Sequence, residues 1–507
     1  MSVKANALAN YAGQLYTTLV GIVVYPFYLA WMGEEAYGLV GFFIVLQAWL
    51  NLLDMGMSPT LARETARAAT HQGEQWQLLR RLVRSLEIIF LGLAVVMVLS
   101  IVLGSDWIAS QWLEVKTLSH DEVAWCIVLM GFMIGMRWLA SLYRSGIQGL
   151  ERQVSLNVAN VVIATFKFVG VLLILQFVST QPSAYFEYQL AIAMLELVVL
   201  GGMFYRLLGG REQWHGFSWD VLRPVLPFAG GVAYTAGIWV LMTQLDKLLL
   251  SSFLPLSEYG YFTLVVVVAN AIMTLTMPIS RALMPRMTGL LASQEEAQML
   301  RLYRRASQFI AATLLPVAGM VALYGGQLLY AWTGNMEAAQ WGAPILFWYA
   351  LGNGLLAIGA FQYYLQYAHG RLRLHVIYNT VSVLIVVPVV VVAAWQWQAI
   401  GVAVAWCGFR LLSFLLWTPF VHARFAPGIH RDWMTRDILP CAAATALMLL
   451  LYQWLGLSLW SLSRPWIFAS LTAMGIAILM VNALVSSIGR DMILRRLQER
   501  KHARATH

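Results

Sequence analysis

Between Lys4 and Glu34 the chain carries no charged residue. Such a run is long enough to cross the roughly 30 Å hydrocarbon layer of a bilayer, where a helix satisfies all of its own N–H and C=O groups. No small-residue cleavage site follows a short apolar core, so the run reads as a retained helix and not as a removed signal. Windows of the same kind recur at roughly 8–30, 37–57, 85–105, 123–143, 154–178, 185–205, 225–250, 259–280, 307–330, 343–367, 376–395, 398–421, 438–457 and 465–488. With 60% hydrophobic and 11% charged residues over 507 positions, no stretch is left for a soluble domain. The expected fold class is all-α integral membrane, with about fourteen transmembrane helices.

The loops between the windows give an orientation. With both termini in the cytoplasm, most of the 33 Lys and Arg gather on that side, above all at 61–84, at 281–306 and in the tail from Arg490. The outer loops then hold only Lys116 and Arg464, as the positive-inside rule requires. The net charge of +9 is therefore a topology signal and an attraction to anionic headgroups, and no nucleic-acid partner is expected. Cys126, Cys407 and Cys441 all fall in apolar windows and read as packing residues. Neither a metal-ligand spacing nor a glycine-rich phosphate loop is present, so no metal or cofactor is expected.

The chain also repeats itself. Tyr37-Gly38 in "GEEAYG" matches Tyr259-Gly260 in "PLSEYG", "RETARAATHQGEQ" from Arg63 matches "RMTGLLASQEEAQ" from Arg286, and "QGLERQVSLN" ending at Asn157 matches "HGRLRLHVIYN" ending at Asn379. The offsets are 222, 223 and 222 residues. Six windows separate the copies, an even number, so both halves run the same way through the membrane. The organisation expected is a six-helix lobe over 1–210, a pseudo-symmetric six-helix lobe over 211–424, two appended helices over 425–489 and a basic cytoplasmic tail over 490–507.

Polar residues inside the windows align at helical spacing. Asn6, Asn10, Gln14 and Thr17 share a face, as do Gln47, Asn51, Asp54 and Ser58; Arg137, Ser141 and Arg144; Asn157, Asn160 and Lys167; Thr243, Gln244 and Lys247; Asn270, Thr274 and Arg281; and Gln362, Gln366 and His369. Hydrogen bonding between packed helices accounts for a lone Ser or Asn. A charge at mid-membrane costs roughly 2.5–3.5 kcal/mol against lipid, so seams holding cations point to a hydrated cavity. Arg137, Lys167, Lys247 and Arg410 are the expected cationic, substrate-binding residues of a chamber between the lobes, with Gln14, Asn51, Asn157, Asn160, Gln244, Asn270 and Gln362 lining it. Trp406, Ser413 and Trp417 share a face with Arg410 and are placed to stack on a sugar or to hold the guanidinium. Asp54, Glu196 and Asp246 are the acids expected to couple transport to an ion. Asp246 and Lys247 are neighbours about 100° apart on one helix, and are expected to serve different surroundings instead of neutralising one another.

Three stretches, "YPFYLAWMGEEAYGLVGFF" with "LLDMGMSPTLARETAR", "YRSGIQGLERQ" and "QLDKLLLSSFLPLSEYGYF", resemble the polysaccharide flippases of the Wzx type. These belong to the MOP superfamily, with the MATE multidrug exporters and the lipid II flippase MurJ. The resemblance implies a monomeric multi-pass transporter, not an enzyme, in the bacterial inner membrane. It would move undecaprenyl-pyrophosphate-linked oligosaccharide outwards by alternating access, with an inward proton or sodium gradient as the candidate driving force. Membrane lipids, a polysaccharide polymerase or a chain-length regulator are the partners it implies. A MATE-type drug or cation antiporter is the nearest alternative, and calls for an acidic cavity. A membrane-embedded polysaccharide polymerase or ligase is the alternative of another class. It would need a catalytic acid or base in a sizeable outer loop, and the longest such loop, about 106–122, contains Asp106, Glu114, Asp121 and Glu122 but little room for a site.

Overall fold

The computed structural model describes residues 3–69, 74–209, 216–456, 458–487 and 489–490, with side chains for all of these except 3–11, 74, 277–278 and 280–282. Among the described residues thirteen helices are long and apolar enough to cross a membrane, and no β-strand occurs beyond one isolated bridge. The chain is thus a multi-pass, all-helical membrane protein. It forms two compact units, residues 1–260 and 261–507.

The first unit contains α1 (Val3–Met32), α2 (Glu34–Leu50), α3 (Met57–Ala69), α4 (Glu74–Trp107), α5 (His120–Gly149), α6 (Gln153–Thr165), α7 (Val171–Phe177), α8 (Pro182–Leu207), α9 (Trp219–Leu222), α10 (Leu226–Phe253) and the start of α11 (Leu256–Thr274). On α4 the lipid face is plain: Leu91, Val95, Leu99 and Leu103 recur every fourth residue and are exposed, while Leu82, Leu86, Phe90 and Ala94 are buried. Phe90 stacks on Trp138 of α5 with ring centroids 4.7 Å apart, at the centre of a core that also takes in Phe204 of α8. Between α2 and α3 the chain breaks at Met55 (φ 48°) and Gly56 (φ 71°), two successive left-handed residues that no helix tolerates. The sequence repeat assigns α10 to the second lobe; by packing it stands in the first unit, against α2 and α3.

The duplicated Tyr-Gly pairs meet here. A Cβ on Gly38 would lie 2.1 Å from the carbonyl oxygen of Leu256, and one on Gly260 would lie 2.6 Å from that of Glu34. Each carbonyl stands four residues before the glycine of its own helix, so α2 and α11 cross in a self-complementary way that only residues without a side chain permit. Beside the crossing, buried Glu35 accepts hydrogen bonds from the backbone N–H groups of Lys116, Thr117 and Leu118 at 2.9–3.1 Å and from the Thr117 hydroxyl at 2.7 Å.

The second unit continues α11 into α12 (Met277–Ala292), α13 (Glu296–Thr333), α14 (Met336–Gly359), α15 (Phe361–Ala368), α16 (Arg373–Leu412), α17 (Thr418–Phe425), α18 (Ile429–Asp432), α19 (Leu439–Trp454) and α20 (Arg464–Val485). Fourteen windows against thirteen helices differ at one place, where residues 373–425 run as a single helical segment of 53 residues. A straight helix of that length would measure about 80 Å. Its continuity fails at Gln398 (φ 48°, ψ −137°), and a Cβ on Gly401 would sit 2.8 Å from the carbonyl oxygen of Ala393, eight residues earlier. In a straight helix equivalent atoms eight residues apart are separated by about 12 Å along the axis. The segment therefore doubles back at Gln398. The C-terminal pair α19 and α20 packs on α13, where Gly319 admits Leu449, and Tyr452, Ile467 and Ile478 complete a separate apolar core.

Candidate functional site

Two parallel helices of the first unit build a polar ladder. Arg137 of α5 donates from Nη2 to Oε1 of Gln189 on α8 at 3.2 Å, and one heptad further on Arg144 forms an ion pair with Glu196. Both rungs join residues 52 apart, so α5 and α8 run in the same direction with seven-residue register, the geometry of left-handed helix packing. Arg137 is 8% exposed, its Nε and Nη1 have no hydrogen-bond partner among the described residues, and its guanidinium lies 5.2 Å from the ring centre of Phe43. Glu196 is buried and its partner Arg144 is 37% exposed.

Lys167 lies in a turn of π-helix, Phe166–Gly170, between α6 and α7. It is half-buried, its Nζ stands 5.2 Å from the Phe168 ring centre, and Arg137, Arg144 and Glu196 are the charges close enough to act on it. Among the described residues no carboxylate pairs with Lys167 or Arg137. Glu196 is committed to Arg144, which leaves the neighbourhood with two positive charges and no compensating acid.

Lys247 is different, and here the expectation is corrected. Its Nζ lies 3.0 Å from Oδ1 and 3.3 Å from Oδ2 of Asp246, and also donates to the Thr243 carbonyl one turn earlier. Adjacent positions do diverge by 100°, but a four-methylene stem folds back along the helix far enough to bring the ammonium over its neighbour. The pair neutralises itself within α10, so Lys247 adds no net positive charge.

The remaining expected residues scatter. Gln14 and Asn51 are exposed; Asn157 donates to the Gln153 carbonyl at 2.8 Å and fills the notch at Gly13 of α1; Asn160 and Gln244 are half-buried, and the Gln244 carbonyl accepts from Trp49 Nε1 at 3.3 Å. Asp54 acts as a helix cap, accepting from the Ser58 N–H at 3.1 Å and hydroxyl at 2.6 Å at the start of α3. The side chains of Asn6, Asn10 and Arg281, and the tail beyond Arg490, lie outside the described residues.

In the second unit Asn270 is exposed and Gln362 is buried, accepting from Gln366 Nε2 at 2.7 Å. Arg410 is buried with its guanidinium 4.0 Å above the Trp406 ring, and no carboxylate pairs with it among the described residues. Tyr378 stacks on Trp417 at 5.0 Å and shares a 2.6 Å hydrogen bond with Ser413, so two of the residues that the sequence groups around this arginine meet at Tyr378. Trp406 is the ring that holds the guanidinium.

Sequence reasoning passed over Gln189. Its signal was there: Gln189 and Glu196 are seven apart on one window and Arg137 and Arg144 seven apart on another, a matched pair of heptad steps. Another buried acid of the first unit, Glu87, is engaged by Arg84 at 2.8 Å, Tyr143 at 2.9 Å and Tyr205 at 2.5 Å.

The polysaccharide biosynthesis protein family model matches residues 3–291. The chain belongs to this family. A putative O-antigen transporter of Shigella flexneri is 20% identical over 335 residues, covering 66% of this chain and 78% of that one. The fold is similar to that of the lipid II flippase MurJ in an inward closed conformation, with a TM-score of 0.71, 13% identity, and 96% and 99% of the two chains covered. It is similar also to an inward-facing MATE family multidrug resistance transporter of the MOP superfamily, with a TM-score of 0.64, 13% identity, and 82% and 94% covered. Family and fold thus agree with the resemblance read from the three sequence stretches, and the relative and the two solved structures are themselves named as a transporter, a flippase and a multidrug transporter.

Proposed function

We propose that this protein flips undecaprenyl-pyrophosphate-linked oligosaccharide across the bacterial inner membrane by alternating access, with both termini in the cytoplasm. The observation that carries the reading is the pair Arg137 and Lys167. Two cations are held in a membrane-spanning unit without a carboxylate of their own, an arrangement costly against lipid and suited to a doubly charged pyrophosphate diester. The matching family and the Shigella relative support a saccharide-bearing substrate. A cation exporter would call for an uncommitted acid, whereas Glu196 and Asp246 are ion-paired and Asp54 caps a helix.

An inward proton or sodium gradient supplies the energy in this reading, and Glu196 is the acid best placed to sense it. Its neutralisation would release Arg144 and add a third positive charge beside the first two. The test is delivery of lipid-linked sugar to the outer leaflet in cells carrying Arg137→Ala or Lys167→Ala. Each is expected to lower delivery at least about tenfold with membrane abundance retained, the loss of one charge-assisted contact. Wild-type delivery by both variants overturns the reading.

A further inference from the structure

The π-helical turn at Phe166–Gly170 lengthens the backbone hydrogen-bond ring by one residue, which misaligns carbonyls that an α-helix would use. Three successive carbonyls of this turn are each taken by a side chain from another helix. Tyr188 donates to Phe166 at 3.0 Å, Gln189 Nε2 to Lys167 at 2.8 Å, and Tyr28 to Phe168 at 2.9 Å. Gly170 belongs to the same construction, because a Cβ there would stand 2.1 Å from the Tyr188 hydroxyl. The turn that carries Lys167 is therefore stapled from α1 and α8, not a local irregularity.

Gln189 does more than staple. It is 1% exposed, and its opposite end, Oε1, accepts the hydrogen bond from Arg137. Both ends of the amide are thereby spoken for, oxygen to a guanidinium and nitrogen to a carbonyl, and a flipped amide would set donor against donor. We infer that Gln189 is a positioning residue of the anion site: it couples the Arg137 guanidinium to the backbone of Lys167, fixing the two cations relative to one another while adding no charge. A carboxylate would hold the guanidinium more strongly, but it would cancel one of the two charges that the substrate anion needs. This accounts for an amide at the upper rung and a carboxylate only at the lower one, where Arg144 is set apart as a pair. The inference rests on the proposed reading of Arg137 and Lys167 as the site of a pyrophosphate-type anion.

The experiment uses the purified full chain and inorganic pyrophosphate as probe, with binding followed by thermal shift, alongside KM and kcat for lipid-linked sugar in vesicles. Gln189→Glu keeps an acceptor for Arg137 but sets a carboxylate oxygen against the Lys167 carbonyl in place of the amide N–H, so it is expected to lower the melting temperature of the unliganded protein somewhat, as Gln189→Leu does, while weakening pyrophosphate at least about tenfold, with KM raised more than kcat is lowered. Gln189→Leu removes both hydrogen bonds and is expected to weaken pyrophosphate as well, with some loss of stability. Should Gln189→Glu bind pyrophosphate as the wild type does while Arg137→Ala and Lys167→Ala lose it, the assignment of Gln189 is overturned and the anion site stands. Should all of these variants bind alike, the anion site itself is overturned.

Discussion

Gly38→Ala is the most demanding test of the fold. The added Cβ would stand 2.1 Å from the Leu256 carbonyl oxygen and 3.0 Å from the Leu256 Cγ and Cδ1. Carbon and a carbonyl oxygen approach to about 3.3 Å, so something must yield by more than about 1 Å. The obstacle is backbone at the start of α11, which cannot swing aside as a side chain would. Overpacking of this kind costs about 1–3 kcal/mol, and the upper end is expected here because two helices have to separate. Gly260→Ala meets the Glu34 carbonyl at 2.6 Å, a smaller overlap, and is expected to cost less. One separation of α2 from α11 relieves both overlaps, so the double variant should cost less than the sum of the single ones. Equilibrium unfolding in detergent, run as a double-mutant cycle, measures all three values. Gly38→Ala at wild-type stability, or strict additivity in the cycle, would refute the self-complementary crossing.

Other consequences can be read in the same way. Asp246→Asn strands a buried ammonium and should lower stability by about 3–5 kcal/mol, whereas Asp246→Asn with Lys247→Met should recover most of it; a double variant no more abundant in membranes than the single one would count against the pair. The double variant, Asp246→Asn with Lys247→Met, is also expected to leave sugar delivery near wild type, in contrast to Lys167→Ala, since it removes a charge together with its counter-charge. Glu196→Gln should make delivery insensitive to the ion gradient, and an unchanged response to uncouplers would remove this acid from the cycle. Trp406→Phe keeps a ring under Arg410 but weakens the cation–π contact, worth about 0.5–2 kcal/mol with Trp; a modest fall in thermal stability is expected, and a much larger one from Trp406→Ala, both by melting in detergent.

What the sequence disclosed follows the range of the forces involved. Membrane crossing depends on summed apolar transfer over some twenty residues, so the windows found the membrane-length helices, and even the reversal lies where two windows meet, although the turning residue, Gln398, is itself neither Gly nor Pro. The repeated Tyr-Gly pairs were legible as symmetry, yet their physical cause, a backbone-to-backbone approach, emerges only when Gly38 and Gly260 are seen in one crossing. Partner choice was the least legible. Helical spacing placed Arg137 and Arg144 on a common face but could not tell which of them Glu196 would neutralise, because that depends on the register of α5 against α8. Spacing also misjudged Asp246 and Lys247, where the reach of a flexible stem outweighs the angle between positions. The π-helical turn carries no composition signal at all, since its energy comes from Tyr28, Tyr188 and Gln189, residues distant in the chain.

The heptad spacing of the two rungs also limits how this part of the molecule can move. Seven residues rise about 10.5 Å, and a slide of α8 along α5 by any smaller step would break both rungs and leave the buried Arg137 guanidinium without its acceptor. The two helices are therefore bolted at a single setting, and whatever rearrangement carries cargo across the bilayer must take them along together as one strut.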